Sequence, residues 1–449
     1  MQGLDYIIGG MPRGGTTAVG NIFNAPRNSY CYAAESHWLP LMGEFAGRAA
    51  MPAFSAPVVR RILEEQNRSV LYEMPRFSVT RGAHPRALIF EETDLGPLAD
   101  ALMEALQQGQ SGEELHLTAL AILRAHIFRK TGRRYLGEKT PSNIFTFRDL
   151  GTLGAKAAIS VTREPFAVLR SMRKRAADEA DANNGPFRWD FYRLLGIWRE
   201  YAGCMQALKG RPGQILLRYE DILQAPGRVT ADLFRATGVP SGWLERRRAR
   251  IRLIERSPRQ AWSGFSDHER ALLLALTRDL RLAQGYGDDF YEADGLPPAK
   301  AAPQIPSEGV FPVWGVNPRA ESEPVWWLTR EGCLALHSTP DAIEVALHFW
   351  CNFPRSALAP GETATLVLSD PVTGAEIARA GVEGGFAGSV PMVVDLTRMA
   401  PVLEGGGGAV RLVNFRASHS FRGYLSEAQD RPGEVLSHDR REMSFALVP

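Results

Sequence analysis

Apolar positions change their spacing along the chain, and the change marks its organisation. Through residues 1–290, short β-branched or aliphatic runs alternate with longer segments whose apolar residues recur every three or four positions. That alternation is the pattern of an α/β domain built on a parallel sheet. The runs Leu4–Gly9, Ser29–Tyr32, Arg134–Leu136, Ala157–Val161 and Gln214–Leu217 predict strands. Helices are predicted over 16–24, 115–130, 165–180, 188–208, 228–236 and 267–284, the last opened by a capping box from Ser266 to Glu269. Residues 40–130 read as a mostly helical insertion between early strands, of the kind that builds one wall of a cleft.

Residues 292–325 are Pro-rich with little periodicity, which predicts a linker. Beyond it the period falls to two. Ile343, Val345, Leu347 and Phe349 alternate with Glu344, Ala346 and His348, and the alternation returns on both sides of a turn at Gly374. The expected architecture is an α/β domain over 1–291, a linker, and a small all-β domain over 326–449, with a sandwich as the expected form.

Composition narrows the options. A chain of 449 residues, 45% hydrophobic and 23% charged, suits two or three domains at ~100–200 residues each. The formal net charge of +2 is no polycation for nucleic acid, so any anion binding must be local. The four cysteines (Cys31, Cys204, Cys333, Cys351) form no CxxC pair, which argues for a reducing compartment over a disulfide framework or zinc site. The first strand starts too close to Met1 for a secretory signal, and no apolar stretch reaches the ~18 residues of a membrane span. The reading is a cytoplasmic protein in which the sequon Asn67-Arg68-Ser69 is accidental.

Candidate chemistry gathers at two strand-to-helix junctions. In YIIGGMPRGGTTAVGNIF, residues 6–23, Gly10 and Gly15 keep Walker A spacing, but Thr16 stands where the lysine would be and Arg13 brings the charge instead. Gly14 and Gly15 let backbone N–H groups turn toward an anion, the helix adds its dipole, and Thr16 and Thr17 offer hydroxyls. A tight turn without ligand fits the same spacing. In AISVTREPFAVLRSMRKR, residues 158–175, a strand ends at Arg163, Pro165 opens a helix, and Ser171 follows. Arg163 and Ser171 could converge on one phosphate, while Arg170, Arg173, Lys174 and Arg175 read as a solvated basic face.

Together these segments resemble the sulfotransferases that use 3′-phosphoadenosine 5′-phosphosulfate (PAPS). Pro12-Arg13-Gly14-Gly15-Thr16-Thr17 is similar to the loop that grips the 5′-phosphosulfate, and Arg163 with Ser171 to the pair that grips the 3′-phosphate. Glu138-Lys139-Thr140-Pro141 and LLRYEDIL (216–223) match two further family segments, so the likeness covers about residues 1–290. The resemblance implies a sulfotransferase-like sheet, PAPS as donor, the 3′,5′-bisphosphate PAP as product, and no metal. Glu35-Ser36-His37-Trp38 resembles a Glu-x-His-aromatic segment of glycan sulfotransferases, which implies Glu35 as general base with His37 orienting it or contacting substrate. In small-molecule members a His is the base, so His37 is the alternative. By the same analogy Lys139 is a second cation near the sulfuryl group, and Arg256 or Arg259, before Trp262, is a further 3′-phosphate anchor. The family's usual basic-Lys-Gly signature is not evident there.

The implied acceptor is a carbohydrate or glycan precursor, sulfated at a hydroxyl or an amine. Trp314, Trp326, Trp327 and Trp350 could stack on sugar rings or fill a core. Two other readings stand beside this one. One is a non-catalytic nucleotide- or glycan-binding protein on the same scaffold. The other is a P-loop kinase, which lacks its lysine and a Mg²⁺-holding aspartate here.

Overall fold

The computed structural model describes residues 3–32, 92–110, 112–149, 155–178, 191–243, 260–296, 308–316, 325–352, 358–359, 361–422 and 442–448, with positions 35, 39, 56–57, 59–60, 63 and 305. It divides into two compact units, Met1–Arg163 with Tyr201–Pro258, and Glu164–Glu200 with Arg259–Pro449. In chain order the helices are α1 (Thr16–Phe23), α2 (Glu92–Gln107), α3 (Gly112–Thr131), α4 (Pro165–Asp178), α5 (Phe191–Leu208), α6 (Tyr219–Gln224), α7 (Pro226–Thr237), α8 (Asp267–Leu276), α9 (Arg278–Ala283) and α10 (Asp288–Ala293). Helix α4, the first half of α5 and α8–α10 belong to the second unit.

The first unit is built on five parallel strands: β1 (Tyr6–Gly10), β2 (Ser29–Tyr32), β3 (Tyr135–Lys139), β4 (Ala157–Thr162) and β5 (Gln214–Arg218). They pair in the order β2-β3-β1-β4-β5. Strands β1 and β4 are buried at every position, as central parallel strands covered on both faces must be. Their apolar runs are therefore continuous where half-exposed strands alternate. Tyr6 stacks on Phe23 at 3.9 Å, and Phe23 meets Phe234 edge to face at 5.6 Å, which fastens α1 and α7 to the sheet. Each such fully buried side chain contributes about 1.5–3 kcal/mol. The chain leaves β1 toward β2 and β3 on one side and returns to β4 on the other. The carboxyl ends of β1 and β4 thus meet at a topological switch point, where open α/β sheets bind ligands.

The second unit carries β6 (Gly309–Val316), β7 (Trp326–Ser338), β8 (Glu344–Asn352), β9 (Thr363–Ser369), β10 (Glu376–Glu383), β11 (Ala387–Asp395), β12 (Leu403–Gly405), β13 (Gly408–Ala417), β14 (Phe421–Arg422), β15 (Glu442–Met443) and β16 (Ala446–Val448). The main path runs β10-β9-β13-β7-β16-β8-β11, with β6 and β12 paired at its side. Its pairings are antiparallel throughout. Along β8 and β9 exposed and buried residues alternate, so Leu347, Phe349, Leu366 and Leu368 enter one core with Phe415 and Phe445.

The all-β expectation holds, and nine of the described strands form one continuous sheet where a sandwich would have two, with β14 and β15 paired apart from it. Its terminal strands β10 and β11 are consecutive in the chain, so the sheet curls into a nearly closed barrel. The 13-residue strand β7 makes this possible by pairing with β13 along one stretch and with β16 along another.

Two local readings are corrected. Residues 309–316, inside the stretch read as a linker, form β6 on β7; an edge position tolerates Pro312, whose missing N–H is not needed there. Arg173, read as solvated, pairs with Glu269 and lies over Phe265 at 4.8 Å, whereas Arg170 and Lys174 are exposed. The Ser266–Glu269 capping box is present in both directions. Of the insertion at 40–130, α2 and α3 are helical as expected, and most of 40–91 lies outside the described residues.

Candidate active site

The glycine loop leaves β1 through a tight turn in which Gly14 N donates to Met11 O at 2.8 Å. Pro12 sits second in that turn and Arg13 third, with φ of 61°. A Pro followed by positive φ is the geometry of a type II turn. Outside glycine that conformation costs about 1–2 kcal/mol, and it leaves the Arg13 side chain exposed at the loop's crest. The loop is pressed against its neighbours. At Gly10 (φ 126°) an added Cβ would lie 2.3 Å from Val161 O, and at Gly15 (φ 100°) it would lie 2.3 Å from the Tyr219 ring. Only glycine fits either place.

Gly15 is the N-cap of α1 and supplies no side chain to cap it. The first-turn N–H groups of α1 therefore point into the loop with the positive end of the helix dipole behind them. Thr16 is buried and Thr17 exposed. The start of α4 is arranged the other way. Both oxygens of the buried Glu164 carboxylate accept from helix N–H groups, Phe166 N at 2.9 Å and Ala167 N at 2.6 Å. One helix end is open to an anion, and the other is already closed by one.

Arg163 stands at the carboxyl end of β4. Its Nη1 donates to Arg13 O at 3.3 Å, and its guanidinium lies 4.7 Å from the centre of the Tyr219 ring. Tyr219 thus supports both Gly15 and Arg163. Ser171 lies on α4, partly exposed, eight residues further on and in the second unit.

The adjacent strand end carries a second cluster. Lys139, 1% exposed, pairs with Ile8 in the sheet register, and its Nζ donates to Glu35 Oε1 at 3.0 Å. Glu35 is 22% exposed. A buried ammonium is tolerable only against such a partner. His37, Arg256 and Arg259 lie outside the described residues.

The sequence profile of the sulfotransferase family matches residues 6–244, more than half of the chain. The chain belongs to the sulfotransferase family. Among solved structures, the sulfotransferase domain from the curacin biosynthetic pathway is 19% identical, with 55% of this chain and 77% of that one covered and a TM-score of 0.31. Sulfotransferase STF9 from Mycobacterium avium is 14% identical, covering 62% and 75%, with a TM-score of 0.35. The sulfotransferase domain of the Synechococcus PCC 7002 olefin synthase is 17% identical, covering 64% and 97%, also with a TM-score of 0.35. No curated protein matches the chain.

In this sulfotransferase the structure brings Arg13, Gly14, Gly15, Thr16 and Arg163 to one switch point and joins Lys139 to Glu35. Sequence reasoning quoted RYED without giving Tyr219 a task; its place directly after β5 was the available signal. Glu138 and Thr140, named only as part of the EKTP segment, were likewise given no task, and Asn143, four positions after Lys139, was not named. Among the described residues, no helix is long and apolar enough to cross a membrane and no cluster of three or more acidic, His or Cys side chains has metal-binding spacing.

Proposed function

We propose that this sulfotransferase moves a sulfuryl group from PAPS to a hydroxyl or amine of a carbohydrate or glycan precursor, with Glu35 as general base. The Lys139–Glu35 ion pair carries the reading, because it sets a carboxylate and a cation at the carboxyl edge of the strands that hold the glycine loop. The loop residues fit the anionic end of such a donor. Its helix terminus has no side-chain cap, Arg13 is exposed, and the lysine that a triphosphate would require is replaced by Thr16.

When bound, the donor supplies the activated sulfuryl group. The loop N–H groups, Thr16 and Arg13 would hold its 5′-phosphosulfate, and Arg163 would hold the 3′-phosphate, a role that the sequence resemblance also gives to Ser171. Glu35 accepts the proton of the acceptor, and Lys139 neutralises charge at the sulfuryl group as its hold on Glu35 is released. Arg256 or Arg259 is assigned to close over the 3′-phosphate. The glycan acceptor rests on the Glu35-x-His37-Trp38 and EKTP segments. A cytoplasmic setting belongs to the same proposal.

Thermal stabilisation tests the donor. PAP should raise the melting temperature and ATP–Mg²⁺ should not; equal responses, or none, would count against PAPS. Labelled-donor transfer to a panel of saccharides and metabolites then tests the acceptor. Turnover only on phenols or steroids would reject the glycan assignment.

A further inference from the structure

Glu138 directly precedes Lys139 and is fully buried. Its two carboxylate oxygens accept from Thr140 Oγ1 and from Asn143 Nδ2. The same two donor residues also reach the donor-loop strand. Thr140 N donates to Ile8 O at 3.2 Å, and Asn143 Nδ2 to that oxygen at 3.3 Å. Ile8 lies two residues before Gly10, where the loop begins. One buried carboxylate therefore ties the end of β3 to the end of β1.

Side chains alternate across a strand, so Glu138 and Lys139 leave β3 on opposite faces. Pinning Glu138 on one face fixes the backbone from which Lys139 projects on the other. On that second face the lysine stem lies beside Gly20 of α1, where even an added Cβ would sit in ordinary contact, 3.9 Å from Lys139 Cβ and Cγ. Thus Lys139 is held at its root by hydrogen bonds and at its tip by Glu35. The geometry points to Glu138, Thr140 and Asn143 as positioning residues that set Lys139 relative to the donor loop. Their proposed part is to position Lys139, not to take part in the transfer. The inference rests on the proposed role of Lys139.

A carboxylate enclosed in protein keeps a fixed place only while its donors are in place. Removing the Thr140 hydroxyl without changing shape should let the β3 end shift. A displacement of about 1 Å at a catalytic group can cost on the order of 10²-fold in rate.

The test compares Thr140→Val, Thr140→Ser and Lys139→Met by sulfuryl transfer from PAPS, with calorimetric PAP binding and melting temperature as controls. Thr140→Val should lower kcat by about 10- to 100-fold and leave the Kd for PAP within about twofold, and Thr140→Ser should restore kcat to within about threefold. Full kcat in Thr140→Val beside an inactive Lys139→Met overturns the positioning role and leaves the Lys139 reading standing. An active Lys139→Met overturns the reading beneath it. Equal losses of PAP affinity and kcat in Thr140→Val also overturn the inference, because the network then serves the donor loop as a whole. Should Thr140→Val fail to fold, Asn143→Ala takes its place with the same expected split; unfolding of both marks the segment as a fold determinant and rejects a positioning role.

Discussion

Lys139 and Glu35 form a 3.0 Å ion pair at the carboxyl edge of the first sheet, with the lysine enclosed and the carboxylate partly open to solvent. That asymmetry suits the proposed roles, in which an acceptor must reach Glu35 while Lys139 stays out of water. Glu35→Gln preserves shape and removes the proposed base. It should lower kcat by at least ~10²-fold with PAP affinity unchanged. Either variant removes that counter-charge from Lys139, but Glu35→Ala also removes the hydrogen-bond acceptor that Gln retains, so it should cost about 1–3 kcal/mol more stability than Glu35→Gln. Kinetics and calorimetry on the two variants separate the effects. Full turnover in Glu35→Gln would move the base to His37.

Gly15 meets Tyr219 so closely that a methyl group has no place, and its φ of 100° disfavours any L side chain. Gly15→Ala should therefore raise the donor KM by about tenfold or more, since the loop N–H groups can no longer keep their aim. Relieving the ring contact with Gly15→Ala/Tyr219→Ala should recover only part of that loss, because the backbone strain remains. Full recovery would show that the contact alone mattered.

Arg163 is braced by Arg13 O and by the Tyr219 ring. Arg163→Ala should raise the donor KM more than it lowers kcat, as expected of a group that holds the donor in ground state and transition state alike. Tyr219→Leu removes the cation–π support, worth about 0.5–1 kcal/mol, and should shift KM by about two- to fivefold in the same direction. A kcat effect larger than the KM effect in Arg163→Ala would place this residue at the sulfuryl group.

In the second unit, His337 is buried with its Nε2 2.6 Å from Tyr192 Oη and its ring beside Phe311. Burial pushes its pKa down to about 4, and His268 acts in the same direction. The folded state thus resists a proton that the unfolded chain accepts near pH 6.5. As pH falls from about 6.5 toward 4 the unfolded state binds the extra proton, and stability falls across that window; above it the residue contributes no slope. The full loss is about 3 kcal/mol at roughly 1.4 kcal/mol per pKa unit. His337→Gln keeps an acceptor for Tyr192 and cannot titrate. Chemical denaturation at pH 7.5, 6 and 5 should show a flatter profile for this variant, and parallel profiles would reject the assignment.

Much of the first unit was legible because its signals are local. Continuous apolar runs mark strands buried on both faces, and a strand, glycine turn and amphipathic helix in sequence need no distant partner to be recognised. The capping box at Ser266 reads directly for the same reason. Strand β6 was hidden because Pro312 and its flanking glycines carry the composition of a linker, and only pairing with β7 makes an edge strand of them. Arg173 carried the pattern of a solvated charge, and only the fold shows it partly covered by Glu269 and the ring of Phe265.

The sequence by itself determined the family and the order along the chain of the strands in the first sheet, since both rest on residues a few positions apart. Tertiary structure alone decided that Lys139 meets Glu35 across 104 positions, that Tyr219 supports both Gly15 and Arg163, and that nine of the described β strands join in one curled sheet. The physical reason is that side-chain period and turn chemistry act over a few residues. Which strand ends become neighbours depends on how the whole sheet buries its apolar faces.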